Sequence, residues 1–283
     1  MVAVLILPYN RVAETRQVIE SLLRNPPSRL YIGADGPRVQ IPDDAARCAA
    51  VRQLLSSVSW PCEVIERYQE QNLGCSAAIT HHLDWFFSHE ESGVILEDDC
   101  VPHPRFLDFC AELLERYRSD SCFMSISGFN PMPPRRTAGD YWASIFCLSW
   151  GWATWRRAWA MYRPRLEGLD SFLAANRFPG AARDAPIAER WTGRFRLAQQ
   201  RPDYSWFVNW TYSCWVQGGL TLISDVNLVR NIGLSKGGSQ DPGLEVPGAD
   251  VAYGRPAWPL IHPDHLQADH ARDRALMRTF FHL

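Results

Sequence analysis

Short apolar runs alternate with helical patterns along the first 127 residues, and this alternation leaves few folds open. Val2 to Leu7 is an apolar run of strand length that stops at Pro8-Tyr9-Asn10, and behind it Val18, Ile19, Leu22 and Leu23 share one helix face. Leu30 to Ala34 predicts a second strand closed by Asp35-Gly36-Pro37, Ala45 to Val58 a helix, and Glu63 to Arg67 a third strand. Asn72-Leu73-Gly74 opens a helix carrying Cys75, Ile79, Leu83, Phe86 and Phe87 at helical spacing. Gly93 to Leu96 is a compact strand that runs straight into Glu97-Asp98-Asp99, and after it Phe106 to Tyr117 predicts a helix and Cys122 to Ile126 a fifth strand. Strands this apolar, joined by helices, make an α/β fold: a mixed, mostly parallel sheet flanked by helices.

From Gly128 the pattern changes to a Pro- and Arg-rich loop, a strand near Tyr141 to Cys147, a Trp-dense stretch, and helices through Arg183 to Gln200 and Trp206 to Val216. No linker separates the two patterns. The 283 residues therefore read as one domain with two halves, 1–127 and 128–283, and a 46% hydrophobic content supplies its core. The twelve Trp suit either a thick core or a surface that stacks on ring-shaped ligands.

A formal charge of -2 argues against nucleic acid or an anionic membrane as partner. Lys236 is the sole lysine, and Arg forks suit phosphate oxygens, although genome composition gives the same bias. The eight Cys contain no C-x-x-C pair, which fits reduced thiols and excludes a zinc ribbon. The N-terminus lacks a basic region before its apolar run, and no segment approaches the roughly 20 apolar residues of a membrane span. The expectation is a cytoplasmic protein, with peripheral contact at the inner face of the membrane left open.

In an open α/β sheet, ligands sit at the carboxyl ends of the strands, so Asn10, Asp35 and the Glu97-Asp98-Asp99 turn are the places to look for chemistry. Adjacent carboxylates raise one another's pKa unless a cation or donors neutralise them, and Mg²⁺ or Mn²⁺ is the simplest neutraliser. A solvated acidic turn is the plain alternative. The sequence has no G-x-G-x-x-G, no P-loop, no G-x-S-x-G and no H-E-x-x-H, which disfavours dinucleotide enzymes, P-loop NTPases and the commonest hydrolases.

Taken in order, "LPYNR", "ADG", "NLG", "VILEDDCVPHPRF", "SWGWATWRRAW", "PDYSW", "NLVRNIG" and "PLIHP" cover residues 2 to about 265. This ordered set resembles the GT-A nucleotide-sugar glycosyltransferases, closest to bacterial members similar to the N-acetylglucosaminyltransferase that initiates complex N-glycans. The resemblance implies a nucleotide-sugar-binding half at 1–127 and an acceptor-binding, catalytic half at 128–283. It implies that Pro8, Asn10, Arg11 and Asn72 line the donor pocket and that Asp35 accepts a hydrogen bond from the base. Asp98 would face the ribose or sugar, Asp99 would hold Mn²⁺ or Mg²⁺ against the diphosphate, and Glu97 would support them. Asp203 would be the base that deprotonates the acceptor.

The same resemblance assigns Gly151 and Trp152 to the ligand, Trp155 and Trp159 to the core, and Lys236 and Ser239 to the donor phosphates. Pro202 stands where relatives carry Trp, and Ser239-Gln240 where many carry Thr-His. Local readings stay open beside these: Asn10 capping the first helix, Asp35 making an Asp-Gly turn, Asp203 as a helix N-cap, and the Trp run as packing. His81 and His82 read as partly buried helix positions, and His262, His265 and His270 as an exposed C-terminal helix.

The expected activity is inverting, metal-dependent transfer of a hexosyl or N-acetylhexosaminyl group from a nucleoside-diphosphate sugar to a hydroxyl on a glycan, protein or lipid-linked acceptor. The alternatives are a sugar-phosphate nucleotidyltransferase, for which "LILPYNR" offers only Arg11 as the basic group, and a non-catalytic nucleotide- or carbohydrate-binding protein.

Overall fold

The computed structural model describes residues 2–135, 139–233 and 251–280. In the first half the strands are β1 (Ala3–Leu7), β2 (Arg29–Ala34), β3 (Glu63–Tyr68), β4 (Ser92–Glu97), β5 (Cys100–Pro102) and β6 (Phe123–Ser127). Between them run α1 (Val12–Arg24), α2 (Asp44–Ser56), α3 (Cys75–His89) and α4 (Phe106–Arg116). The second half adds β7 (Tyr141–Ser144), β8 (Trp152–Trp155), α5 (Arg156–Trp159), α6 (Leu169–Ala174), α7 (Ala185–Gln200), α8 (Trp206–Val216), β9 (Leu220–Ser224), β10 (Val229–Asn231) and α9 (His270–Phe280).

One eight-stranded sheet carries the order β3-β2-β1-β4-β8-β6-β9-β7, and β10 pairs with β5 in a second, two-stranded sheet. The run β3-β2-β1-β4 is parallel throughout, as three consecutive helical crossovers require. The expected mixed, mostly parallel sheet flanked by helices is what forms.

The Trp-dense stretch supplies a strand that the sequence reading had left unassigned. Strand β8 wedges antiparallel between β4 and β6, pairing Trp152 with Ile95 and Ala153 with both Val94 and Ile126. Its alternation divides the indoles between two cores. Trp155 joins the layer under α1, α2 and α4 and donates from Nε1 to the Leu114 carbonyl at 2.9 Å, while Trp152 joins the layer under α3, α5 and α8. A third cluster, around Trp191, Phe195, Tyr212 and Trp215, packs α7 and α8 together. Among the described residues, no helix is long and apolar enough to cross a membrane.

Candidate functional site

Because β1, β2 and β4 run parallel, their carboxyl ends come together, and the residues that follow them line a cleft of about 470 Å³. Pro8, Asn10 and Arg11 enter it from β1, Asp35 from β2, Asn72 from the loop before α3, and Glu97 and Asp98 from β4. Six of the expected donor-binding residues thus meet at one place: Pro8, Asn10, Arg11, Asp35, Asn72 and Asp98.

The acidic turn is held from three directions. The Tyr9 N–H donates to Asp98 Oδ2 at 3.1 Å, and Arg11 reaches Asp99 Oδ2 at 2.8 Å and Asp98 Oδ1 at 3.4 Å. From the far side Asn231 Nδ2 donates to Asp99 Oδ1 at 3.3 Å, and the Ile232 N–H to the Asp99 carbonyl at 2.9 Å. Gly233 lies against this pair, where a Cβ would overlap both Asp99 Oδ2 and Arg11 Nη1; only glycine lets the backbone come so close.

Arg11 is the cation that meets this cluster. Burial, reinforced by the charges of Asp99 and Asp98, pushes the Glu97 carboxyl up to about 8. Burial likewise pushes Asp98 up to about 7, against the pull of Arg11.

Hard carboxylate oxygens short of positive charge are the donor set that Mg²⁺ or Mn²⁺ prefers. Among the described residues no group of three His, Cys, Asp or Glu side chains is arranged to hold an ion. The oxygens of Asp98 and Asp99 are of the hard type such an ion takes, while Asp99 is not itself among the cleft-lining residues and its two oxygens meet Arg11 and Asn231.

At the opposite end of the cleft the carboxylates are fully used. Asp35 accepts from the N–H groups of Gly36 (2.8 Å), Leu73 (2.8 Å) and Gly74 (3.1 Å) and from Asn72 Nδ2 (2.9 Å). Four donors fill the lone pairs of one carboxylate, so Asp35 and Asn72 shape the loop that opens α3. Asn10 is no helix cap; its Nδ2 donates to Asp44 Oδ1 at 2.6 Å.

Asp44, which the sequence reading did not single out, also takes the Tyr9 hydroxyl at 2.6 Å, and Arg38 through its backbone N–H (2.8 Å), Nε (3.2 Å) and Nη2 (3.0 Å). Only its place at the start of α2 hinted at it, because the partners Tyr9 and Asn10 are more than thirty residues away. Asp44 stands behind the cleft lining, and the cleft residues missed from the sequence include Tyr9, Arg38 and His82, the last expected to be a mere helix position.

In the second half, Trp152 does not reach the cleft. It is buried in the core, stacked on Trp206 with ring centroids 5.5 Å apart, because β8 turns this face toward α8. Trp155 and Trp159 are buried as expected. Gly151 (φ +66°) sits against Val229 of β10, where a Cβ would crowd the valine methyls, and it is not among the cleft-lining residues.

Asp203 is exposed, 3.5 Å from Arg201, and also stands outside the cleft lining. The N-cap of α8 is Ser205, which accepts from the Val208 N–H, so capping does not account for Asp203. Since Trp206 stacks on Trp152, and Trp152 pairs with Ile95, α8 begins beside the carboxyl end of β4, two residues before the acidic turn. His262 is tied to Tyr141 and Glu112, each at 2.9 Å, rather than exposed. Lys236 and Ser239 lie outside the described residues.

No family model matches the chain, and no curated protein matches it. Its fold is similar to solved nucleotide-sugar enzymes at low identity. One is a mannosyltransferase from Pyrobaculum calidifontis in complex with GDP-Man and Mn²⁺, 14% identical, covering 55% of this chain and 44% of that one with a TM-score of 0.37. A second is mouse xyloside xylosyltransferase 1, 11% identical over 71% of this chain and 83% of that one, TM-score 0.36. A third, apo UDP-glucose pyrophosphorylase, is 8% identical over 79% and 90%, TM-score 0.40. The chain spans less than half of the mannosyltransferase it matches.

Proposed function

We propose that this protein is an inverting glycosyltransferase that moves a hexosyl or N-acetylhexosaminyl group from a nucleoside-diphosphate sugar to a hydroxyl acceptor. The observation that carries this reading is the acidic turn Glu97-Asp98-Asp99, with Asp98 and Asp99 buried, faced by Arg11 at the end of a cleft of nucleotide size. A solvated turn would not leave Asp98 and Asp99 only 5% and 6% exposed.

In this reading Asp99 holds a divalent ion together with the donor diphosphate, and that ion, when bound, stabilises the charge on the departing nucleoside diphosphate. Arg11, released from part of its pairing with Asp99, adds a fork of donors to the same phosphates. Asp98, fixed by the Tyr9 N–H, faces the ribose or sugar hydroxyls. Tyr9 and Asn10, anchored on Asp44, hold the first loop of the cleft in place, so its geometry exists before the donor arrives.

Asp203, on the turn before α8, takes the acceptor proton onto its carboxylate as the acceptor oxygen bonds to the anomeric carbon and the bond to the diphosphate breaks. One base opposite one leaving group gives inversion. The Asp203 carboxylate is exposed and outside the cleft lining; in this reading it serves the acceptor, and donor contacts belong to the first half. Asp203→Asn is expected to bind the nucleotide as wild type does and to lose turnover by about 100- to 10,000-fold, the usual worth of general-base catalysis. Calorimetric nucleotide binding and sugar transfer measured on the same preparation check both halves. Unchanged transfer removes Asp203 from the reaction.

A further inference from the structure

The base end of the cleft has a vacancy in its chemistry. Asp35, the residue expected to meet the base, has its oxygens taken by four protein donors. Something else must distinguish one base from another if the cleft does so at all.

His82, on the second turn of α3, lines the same cleft and is 1% exposed. Neither ring nitrogen makes a hydrogen bond of good geometry within the protein, the Ala34 carbonyl being the nearby acceptor that pulls on the ring. Of the buried side-chain polar atoms without a partner among the described residues, those of His82 alone belong to a residue of the cleft lining. Buried polar groups are nearly always paired, and leaving one unpaired is costly. The ring is wedged over Gly33 of β2, where a Cβ would stand 2.6 Å from its Cγ and 2.7 Å from Nδ1. Position 33 must therefore be glycine for the imidazole to lie there, and Nε2 is the nitrogen on the far side of the ring from it. Burial, with the charges of His81 and Arg67, pushes the ring down to about 4 against a weak opposing pull from the Ala34 carbonyl, so it is neutral near pH 7. A neutral imidazole has one N–H and one bare nitrogen, which lets it give or take a hydrogen bond with a heterocycle.

We propose that His82 reads the nucleobase of the donor, turning its Nε2 edge into the cleft to make one hydrogen bond with the base. The assignment rests on the glycosyltransferase reading above and narrows it, because it names the residue that selects among nucleoside diphosphates. It also gives the imidazole the well-formed hydrogen bond that the protein does not supply.

The test uses UDP, GDP, CDP, ADP, dTDP and inorganic pyrophosphate, each titrated with Mn²⁺ into wild type and into His82→Phe, which keeps a ring of similar size but no nitrogen. Wild type is expected to prefer one nucleotide. His82→Phe should bind that nucleotide about tenfold more weakly, the cost of one hydrogen bond to a buried site, and bind pyrophosphate unchanged. A preference that survives in a folded His82→Phe overturns the proposal. Should that variant fail to fold, the unaltered protein labelled with ¹⁵N-histidine decides. Its His82 Nε2 signal is expected to move with the preferred nucleotide and to stay still with pyrophosphate, and an unmoved signal overturns the assignment. Equal binding of all five nucleotides removes the role of His82 while keeping a diphosphate site. No binding of any nucleotide or of pyrophosphate removes the glycosyltransferase reading itself.

Discussion

Two clusters of carboxylate serve the same cleft, Glu97 and Asp98 by lining it and Asp44 from behind Tyr9, Asn10 and Arg38, and they solve the cost of burial in opposite ways. Asp44 is wholly buried, yet Arg38, the Tyr9 hydroxyl, Asn10 and Arg47 surround it, and the hydrogen bonds from Arg38 hold its carboxyl far below the usual range despite burial. Glu97 and Asp98 meet Arg11 instead, and burial wins: both are pushed up, to about 8 and about 7. A buried acid that is fully compensated builds structure. One that is left short of positive charge, with a cleft in front of it, is a place where a cation or a ligand finishes the job.

The largest effect that tests this contrast is on ligand binding. If the 97–99 turn is completed by a metal and a diphosphate, the Mn²⁺-dependent gain in stability from a bound nucleotide, about 2.7 kcal/mol at 100 times its Kd, should vanish in Asp99→Ala. Thermal melting with the preferred nucleotide, with and without Mn²⁺, reads it directly. A gain that persists in the variant moves the ion to other ligands.

Asp44→Ala should act the other way, on the apo protein. Removing the hub strands Arg38 and leaves the Tyr9 hydroxyl and Asn10 without their acceptor, at a cost of about 2 kcal/mol in chemical denaturation. That lies below the roughly 3–5 kcal/mol of a fully enclosed ion pair, because Arg38 and Arg47 reach water. Loss of nucleotide binding with no loss of stability would mean that Asp44 belongs to the ligand and not to the scaffold.

How far the sequence foretells these clusters depends on the range of the contacts. The strand tips at Asn10, Asp35 and Glu97 were legible, because a short continuous apolar run followed by polar residues is a local pattern. The Asp35-Gly36 turn was legible for the same reason, and the Gly36 N–H indeed bonds back to the Asp35 side chain. Asp44 was not, since its meaning comes from Tyr9 and Asn10, which only the parallel pairing of β1 with β2 brings near. Strand β8 escaped notice because four residues, two of them Trp and all buried, carry no alternation of polarity. Trp152 went wrong with it: the resemblance put its ring on the ligand, and the antiparallel wedge turns it into the core. Six of the expected donor contacts fall on one cleft, and each follows a strand or opens a helix of the first half, where the pattern was strongest.

A third buried acid sharpens the comparison, because it separates shortage of compensation from function. Asp273 on α9 is as buried as Asp44, accepts from the Ser144 hydroxyl at 2.5 Å, and has an Oδ2 whose nearest charged neighbour is His270 Nδ1 at 3.5 Å. Burial pushes it up to about 6, offset in part by Ser144, the Ile145 N–H and His270. It lines none of the cleft. A carboxyl whose folded pKa is raised holds its proton in the native state after the unfolded chain has lost it, so its contribution to stability is present below about pH 4 and fades as pH rises to about 6. Asp44 has the opposite sign: its contribution is present above about pH 4 and is lost as pH falls further. Asp273→Asn, which keeps an acceptor for Ser144 and removes the charge, should therefore gain about 1 kcal/mol on wild type at pH 7 and nothing at pH 4. Nucleotide binding should not change at either pH. Denaturant midpoints at the two pH values check the first part and calorimetry the second, and a binding defect would show that burial with incomplete compensation marks ligand sites even where no cleft opens beside them.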